Sequence, residues 1–303
     1  MFRLVLVRLS HVLLSLFFLL LMVFALVRLT GDPINFLLPP QATPETEARL
    51  RAELGLDEPL PVQFAAYLGQ LSRGDLGISF RTKRPVAESV AGRLPATLAM
   101  GAAAVGLTVI VGLPLGIYAA YWRGSPVDAA ARLIAAVGQA VPDFWVGLML
   151  ILVFAVFLRW LPSGGYGGIE NLILPAITLA ITSIAGLIRL LRSSMIEVLE
   201  SDYVLFHRMK GLPESAILWK HALRNAGLTT LSFVGLLSAG LFTGSVLVET
   251  IFNWPGIGLL LVEGIRNRDF GIVQGVLLAY ATAFIAINLL VDLLYTVMNP
   301  RLR

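Results

Sequence analysis

The sequence contains no cysteine and few charged residues. None of its 303 residues is cysteine, so disulfides, thiolate metal sites and cysteine nucleophiles are excluded. Charged residues make up 14% of the chain, whereas soluble domains carry about 25%. Hydrophobic residues make up 57% and include several long uncharged runs. The composition therefore predicts an all-α integral membrane protein.

Short catalytic and nucleotide-binding motifs are also missing. The sequence has no G-x-x-x-x-G-K-[ST], no H-E-x-x-H and no G-x-S-x-G. We therefore expect neither enzymatic activity nor ATP bound in a Walker A loop. The three histidines, His11, His207 and His221, are predicted to have structural or docking roles and no metal site. The modest net charge of +4 clusters near span ends, and no aromatic–basic pattern indicates nucleic-acid binding.

The apolar runs predict six transmembrane helices. They lie at about 9–27, 96–121, 133–158, 172–191, 228–248 and 272–298, each near or above the ~20 residues that cross a bilayer. The first run could alternatively be a cleavable signal peptide, but it is longer than an h-region and no A-x-A site precedes Arg28. The distribution of Lys and Arg predicts that both termini are cytoplasmic.

These spans divide the chain into four parts. Residues 1–29 are the N-terminal transmembrane helix, and residues 30–95 are an extracytoplasmic loop with short helices. Residues 96–298 form a five-helix core that includes a cytoplasmic loop at 192–227, and residues 299–303 are a cytoplasmic tail. In the extracytoplasmic loop, cap signals predict one helix from Thr43 to Gly55 and a second over 62–71 that stops near Gly74.

The cytoplasmic loop reads "RSSMIEVLESDYVLFHRMKGLPESAILWKHALRNAG". It predicts two short amphipathic helices hinged at Gly211–Leu212–Pro213, with Gly211 left-handed and Pro213 opening the second helix. We call the part from Asp202 to Gly227 the elbow. Its predicted apolar positions are Tyr203, Phe206 and Met209 on the first helix and Trp219, Ala222, Leu223 and Ala226 on the second. The pattern alone fits docking to a soluble partner and lying on the membrane surface equally well.

Short motifs typical of one protein family are spread along nearly the whole chain. They are DYV at 202–204, KGL at 210–212, KHALRNA at 220–226, GLDEPLPVQF at 55–64, GDLGIS at 74–79, RLPATL at 93–98, VPDFWVGLMLI at 141–151, ETIFNWPGIG at 249–258, RDFGIVQG at 268–275 and NLLVDLLY at 288–295. In their order and spacing along the chain, these motifs resemble those of the inner-membrane permeases of binding-protein-dependent ABC importers, in the dipeptide/oligopeptide/nickel branch.

This resemblance implies a type I ABC importer permease fold in the bacterial inner membrane. It implies a pore shared with a second homologous permease, two cytoplasmic ABC ATPases that use ATP and Mg²⁺, and an extracytoplasmic solute-binding protein. The chain itself is expected to bind no cofactor. The solute is a peptide or a similar small solute, with nickel, glutathione and opines also found on this scaffold. The alternative is an ion-coupled secondary transporter, but neither pseudo-symmetric halves nor broken midplane helices are evident in the sequence.

The resemblance also implies roles for particular residues. Coupling to the ATPases falls on Asp202, Tyr203, Phe206, Lys210, Gly211, Leu212, Lys220, His221 and Arg224. A structured outer gate falls on Trp254, Pro255, Gly256 and Gly258. Asp143 is a candidate for the solute pathway because an acid within a span is a functional hypothesis by default. The chain departs from the family pattern at Leu205, Phe206, His207, Met209 and Thr229, where small residues or proline are usual.

Overall fold

The structure is a computed structural model that describes residues 10, 14–25, 43–53 and 55–298. The expected cytoplasmic tail 299–303, the ends of the first predicted span and His11 lie outside the described residues. Helices dominate the described part, and an isolated β-bridge joins Ile78 to Pro85. The helices are α1 (Leu14–Ala25), α2 (Pro44–Glu53), α3 (Leu60–Ser72), α4 (Val86–Tyr121), α5 (Pro126–Ala140), α6 (Asp143–Phe157), α7 (Ile169–Leu199), α8 (Asp202–Met209), α9 (Leu223–Ile251), α10 (Ile257–Arg266) and α11 (Phe270–Met298).

Three of the described helices are long and apolar enough to cross a membrane by themselves. They are α4, α7 and the Phe270–Leu290 part of α11, and the bent pair α5–α6 would make a fourth span. Helices α1 and α9 coincide with the first and fifth predicted spans. Several side chains of α9 lie outside the description. The helical class is as predicted, while the count of six spans and the side of each terminus stay predictions.

The predicted third span, 133–158, is not one continuous helix. Helices α5 and α6 meet at 104°. Val141 and Pro142 separate them, both with extended backbone angles. A residue before proline is pushed out of the helical region, which explains the break at this position. No broken helix was evident in the sequence, and for this span that expectation is wrong.

Two compact units make up the chain. One consists of residues 1–95 and 256–285, and the other of residues 96–255 and 286–303. In the first unit, Val86, Val90, Ile257, Leu260 and Ile272 form a buried cluster. The two outer helices α2 and α3 lie close to their predicted bounds, and Gly55 and Gly74 both have positive φ as end signals require.

A buried carboxylate organises one corner of the first unit. Asp269, 3% exposed, accepts hydrogen bonds from the Ser79 hydroxyl and from the backbone N–H groups of Phe80, Arg81 and Ile272. The bond from Ile272 caps the first turn of α11. One carboxylate therefore fixes the loop after Ile78 to the start of α11.

In the second unit, α7 is the central helix and is largely buried. Glycines on its neighbours allow close approach. A Cβ added at Gly112 or Gly116 of α4 would lie 2.9 Å from a Leu187 side-chain atom or 3.0 Å from Leu191 Cβ. At Gly138 of α5 it would lie 2.9 Å from Ala185 Cβ. The small-xxx-small pair at 112–116 therefore packs against a helix of the same chain.

Candidate docking elbow

The hinge of the elbow is a left-handed glycine. Gly211 has φ +74°, and its N–H donates to the Arg208 carbonyl at 2.9 Å. The Leu212 N–H donates to the His207 carbonyl at 3.3 Å. These two bonds satisfy the last carbonyl groups of α8 in the pattern of a Schellman motif. No atom lies within 4 Å of a Cβ added at Gly211, so the need for glycine comes from the backbone conformation.

An ion pair spans the turn that Gly211 makes. Arg208 Nε lies 2.9 Å from Glu214 Oε1, and the same guanidinium also reaches Oε2 at 3.4 Å. Both side chains are about 40% exposed, at 39% and 40%. A pair so open to water contributes no more than about 1 kcal/mol. It helps to hold the two arms of the elbow together without creating a strong clamp.

Part of the elbow is buried against the rest of the chain. Val204 and Ile217 are completely buried, and Leu218 is 3% exposed. Leu218 and Ala222 pack with Leu191, Met195 and Ile117 in one cluster. After a helical turn at Glu214–Ala216, residues Ile217–Ala222 are π-helical, which shifts the phase of the second arm. Of the predicted apolar stripe, Trp219 is 40% exposed, whereas Ala222 and Ala226 are buried within the chain.

Large apolar side chains remain exposed on the first arm. Leu205 is 55%, Phe206 50% and Met209 71% exposed. The ammonium group of Lys210 lies 4.3 Å from the centre of the Phe206 ring, which orients that ring. Phe206 and Met209 were predicted to form an apolar face, and they do, but the face points away from the buried cluster. Exposed apolar patches of this kind mark contact surfaces.

The two histidines of the elbow lie together. The ring centres of His207 and His221 are 4.2 Å apart, and Tyr203 meets His207 edge-on at 6.0 Å. Loss of solvent, together with the charges of His207 and Lys220, lowers the pKa of His221. Within the described residues, no group of three or more His, Cys, Asp and Glu side chains could hold a metal ion. The pair therefore joins the two arms by ring contact.

The remaining predicted coupling residues lie around this framework. Asp202, Lys220 and Arg224 are exposed, and Leu212 is half-buried at the hinge. Tyr203 lines an open groove of about 310 Å³ together with Ser194, Glu197, Val198, Ser201, Asn225 and Ala226. The nine predicted coupling residues thus lie in the elbow, and its charged members Asp202, Lys210, Lys220 and Arg224 are exposed.

Sequence reasoning missed the supports of the elbow. The guanidinium of Arg192 at the end of α7 binds both carboxylate oxygens of Asp128, at 2.5 and 2.9 Å. Asp128 also accepts from the Gly124 N–H and lies 3.5 Å from Arg132. Asp128 follows Ser125–Pro126, a helix-start signal at which an acid is favoured, so the sequence did carry a trace of this site.

The residues of the predicted outer gate do not form an open turn. Trp254 is 2% exposed, and its indole N–H donates to the Ala96 carbonyl at 2.9 Å. The buried Glu249 accepts a hydrogen bond from Thr97 at 2.7 Å in the same unit. Gly256 has extended angles and precedes α10, which contains Gly258. A gating role for these residues stays a prediction, but Trp254 is a buried anchor.

Asp143, the candidate pathway acid, begins α6 at the 104° bend. Its carboxylate accepts a hydrogen bond from Thr182 of α7, whose hydroxyl lies 3.3 Å from the Gly138 carbonyl as well. Within the described residues, Asp143 has no ion-pair partner. The structure thus places Asp143 at the break between two helices, which the sequence did not reveal.

Comparison with known proteins identifies the family to which this architecture belongs. Residues 112–303 match the model for the binding-protein-dependent transport system inner membrane component. The chain belongs to this family. Residues 1–101 match the N-terminal domain model of the same family. The elbow, the bent pair and the supports at Asp128 all lie in the first of these matched regions.

Full-length relatives agree with this assignment. The chain is 42% identical over 283 residues to a putative peptide transport system permease protein of Brucella abortus, covering 91% of this chain and 90% of that protein. It is 39% identical over 304 residues to the glutathione transport system permease protein of Escherichia coli, covering 100% and 99%. These matches confirm the predicted multi-pass inner-membrane location and a transport role in place of an enzymatic one.

A solved structure supports the fold. The inward-facing MetNI methionine ABC transporter has a chain that superposes with a TM-score of 0.59 at 17% identity, covering 69% of this chain and 96% of that one. The predicted type I ABC permease fold is therefore confirmed. Family membership also decides between the two transport classes, because this family consists of ABC importer membrane components and not of ion-coupled secondary transporters.

Proposed function

We propose that this chain forms half of the translocation pathway of an ATP-driven importer and passes the motion of cytoplasmic ATPases to its spans through the elbow. A second homologous permease completes the pathway, and two ATPases bind below. An extracytoplasmic binding protein delivers the solute. The chain itself supplies no nucleotide site, and ATP and Mg²⁺ act in the ATPase partners.

The observation that carries this proposal is the division of the elbow into a fixed side and a free side. Val204 and Ile217 are completely buried, and Leu218 is buried in a cluster with Ile117 of α4 and Leu191 of α7. Phe206 and Met209 are exposed on the opposite side. A partner that binds the exposed apolar residues would move the whole elbow when it moves. Because the buried side of the elbow packs on α4 and α7, the ends of these two helices, both long enough to span the membrane, would move as well.

Charge favours a protein partner over a lipid surface. The elbow exposes basic Lys210, Lys220 and Arg224, but it also carries Asp202 and Glu214. Acidic groups weaken attraction to anionic headgroups. Mixed charge around exposed aromatic and methionine side chains is typical of protein interfaces. Of the two alternatives that the sequence left open, the charge pattern therefore supports docking to a protein partner over lying on the membrane surface.

For the solute we propose a peptide or a small peptide-like compound. Full-length relatives are named as permeases for peptides and for glutathione. Both solutes carry a free amino group and carboxylates. The described residues contain no metal-binding cluster, which gives a nickel solute no support from this chain.

The proposal is tested on the assembled transporter with Gly211→Glu. A glutamate at φ +74° strains the hinge and places a charge at the tip of the elbow. We expect the rate of ATP hydrolysis stimulated by the solute-loaded binding protein to fall at least about tenfold. This fall corresponds to a rise of about 1.4 kcal/mol in the activation free energy. Unchanged transport-coupled hydrolysis would overturn the coupling role of the elbow.

Ser215→Glu is the matched control. Ser215 is exposed, lies four residues beyond Gly211 and has helical geometry. A glutamate at this position therefore adds the same charge without straining the backbone. We expect this variant to retain most of the stimulated hydrolysis. Co-purification of the ATPases with both variants shows that the transporter is assembled before its activity is compared.

A further inference from the structure

The largely buried helix α7 has one exposed stripe, and every residue in it is polar. From residue 171 to residue 199, the exposed positions are Thr182, Arg189, Ser193 and Glu197. The spacings of seven, four and four residues place them on one face of the helix. We call these four residues the polar stripe. The rest of α7 is strongly apolar, with a mean hydropathy of 2.0 over its best window.

A polar stripe on a membrane helix cannot face lipid at low cost. Arg189 and Glu197 have no hydrogen-bond or ion-pair partner within the described residues. Charged side chains in the bilayer face a water-filled cavity or another protein surface. Thr182 and Arg189 lie within the predicted span 172–191, so this part of the stripe faces either an aqueous passage or a second protein. Ser193 and Glu197 lie in the predicted cytoplasmic loop, where water surrounds them.

Asp143 lies at the deep end of this stripe. Thr182, which donates a hydrogen bond to Asp143, is near the middle of the predicted span 172–191. At 1.5 Å per residue, it lies about 15 Å from either end of that span. The carboxylate of Asp143 is partly exposed there, at the break between α5 and α6. In secondary transporters, broken helices near the midplane form the binding sites.

The charge of this site selects its ligand. Within the described residues, no cation neutralises Asp143, and its side-chain hydrogen-bond donor is the uncharged Thr182 hydroxyl. A carboxylate held at the centre of a bilayer gains most from a positive group that enters beside it. A protonated amino group fits this requirement in charge and in its ability to donate several hydrogen bonds.

We propose that the polar stripe is this chain's wall of the inner half of the solute pathway, and that Asp143 receives the protonated amino group of the solute at its deep end. This proposal rests on the proposed transport function. The stripe then carries the released solute from Asp143 past Arg189 and Ser193 to Glu197 at the cytoplasmic end. The site recognises a charged group common to many amino compounds and leaves other selectivity to the partners.

The test uses the absence of cysteine from the chain. Single variants Thr182→Cys and Ile110→Cys are made in the complete transporter and exposed to charged, membrane-impermeant methanethiosulfonates. Ile110 is the control because it is apolar, 71% exposed and near the middle of its predicted span. We expect Thr182→Cys to react and Ile110→Cys to remain unlabelled.

Asp143→Asn then tests the charge. In the Thr182→Cys background, we expect it to lower the ratio of trimethylammonium-reagent to sulfonate-reagent labelling rates about fivefold. Asp143→Glu is expected to keep the ratio. The trimethylammonium group is the probe that stands for the protonated amine. Reaction is read on this chain alone, so the result holds whether or not the proposed ATPases co-purify.

Two outcomes would overturn the proposal. If Thr182→Cys stays unlabelled both without nucleotide and with ATP plus vanadate, the stripe is covered by another protein and is not a pathway wall. If Thr182→Cys reacts but Asp143→Asn leaves the ratio of rates unchanged, Asp143 does not attract the cation. Failure of the ATPases to co-purify would count against the proposed function instead.

Discussion

The guanidinium of Arg192 and the carboxylate of Asp128 form a two-bond ion pair between α7 and α5. Asp128 is 1% exposed, and the Arg192 side chain is 22% exposed. Arg192 lies ten residues before the first helix of the elbow and seven residues before the end of α7, the central helix of its unit. The pair therefore fixes the point at which the motion of the elbow would enter the helices.

Removing one partner of this pair should be costly. Arg192→Ala leaves the Asp128 carboxylate buried, with Arg132 at 3.5 Å as its remaining cation. We expect the free energy of unfolding to fall by about 3 kcal/mol, because the buried carboxylate loses both bonds to Arg192 and keeps only the mostly exposed Arg132. The measurement is the apparent melting temperature of the purified transporter in detergent. Arg123→Ala is the control, because its pair with Glu200 is 60% and 67% exposed and should contribute less than about 1 kcal/mol. Equal effects of the two variants would show that the pair at Asp128 is not special.

The hinge glycine should tolerate asparagine better than alanine. At φ +74°, alanine meets a backbone penalty of about 1 kcal/mol, whereas asparagine enters the left-handed region more readily. We expect amide hydrogen exchange in residues 207–213 to accelerate about fivefold in Gly211→Ala and much less in Gly211→Asn. No atom lies within 4 Å of the new Cβ, so a clash cannot produce this order. Equal protection from hydrogen exchange in both variants would show that the left-handed backbone conformation is not the reason for glycine at this position.

Two glycine-to-alanine substitutions should have opposite effects. At Gly138 the new Cβ lies 2.9 Å from Ala185 Cβ and 3.4 Å from the Ile181 carbonyl oxygen. Neither atom can rotate away, so α5 and α7 must separate, at a cost of about 1–3 kcal/mol. Gly106 of α4 has no atom within 4 Å, and alanine there favours the helix by up to about 1 kcal/mol. Thermal unfolding of the two purified variants checks the sign. A stabilised Gly138→Ala variant would contradict the close helix crossing.

The elbow should loosen as the pH falls. The pKa of His221 is lowered in the folded elbow by loss of solvent and by the charges of His207 and Lys220. Folding therefore favours the neutral ring, so the contribution of His221 to stability is fully present above its ordinary pKa of about 6.5 and is lost as the pH falls through that value. We expect the hydrogen exchange of the backbone amides of residues 202–222, corrected for its intrinsic pH dependence, to accelerate below about pH 6.5. In His221→Gln the dependence should weaken, and an unchanged dependence would assign it to another group.

Local signals in the sequence were sufficient for much of the elbow. Gly211 and Pro213 predicted the hinge because a left-handed turn and a helix start have strong residue preferences. The outer helices followed from similar signals at Thr43, Gly55 and Gly74. Such preferences depend on backbone geometry over a few residues, so they are readable without knowledge of the rest of the fold.

The buried face of the elbow was not readable in the same way. Regular helical spacing placed Trp219, Ala222 and Ala226 on one apolar stripe, but the segment Ile217–Ala222 is π-helical, and Ile217 and Leu218 are buried while Trp219 is 40% exposed. A π-helical turn depends on how α8 and α9 pack against α7, and the sequence of the segment carries no clear mark of it. The contact between His207 and His221 arises from the same packing.

The sequence by itself determined the class of protein, the place of the elbow along the chain and the chemistry of its hinge, because hydropathy and turn preferences act within short stretches of chain. Only the tertiary structure decided that Arg192 pairs with Asp128 and that Asp143 meets Thr182 at a broken helix. It also showed that the exposed residues of α7 form a polar stripe. Each of these depends on which helices meet and on which side of a helix remains uncovered. Long-range packing fixes both, and no local pattern records them.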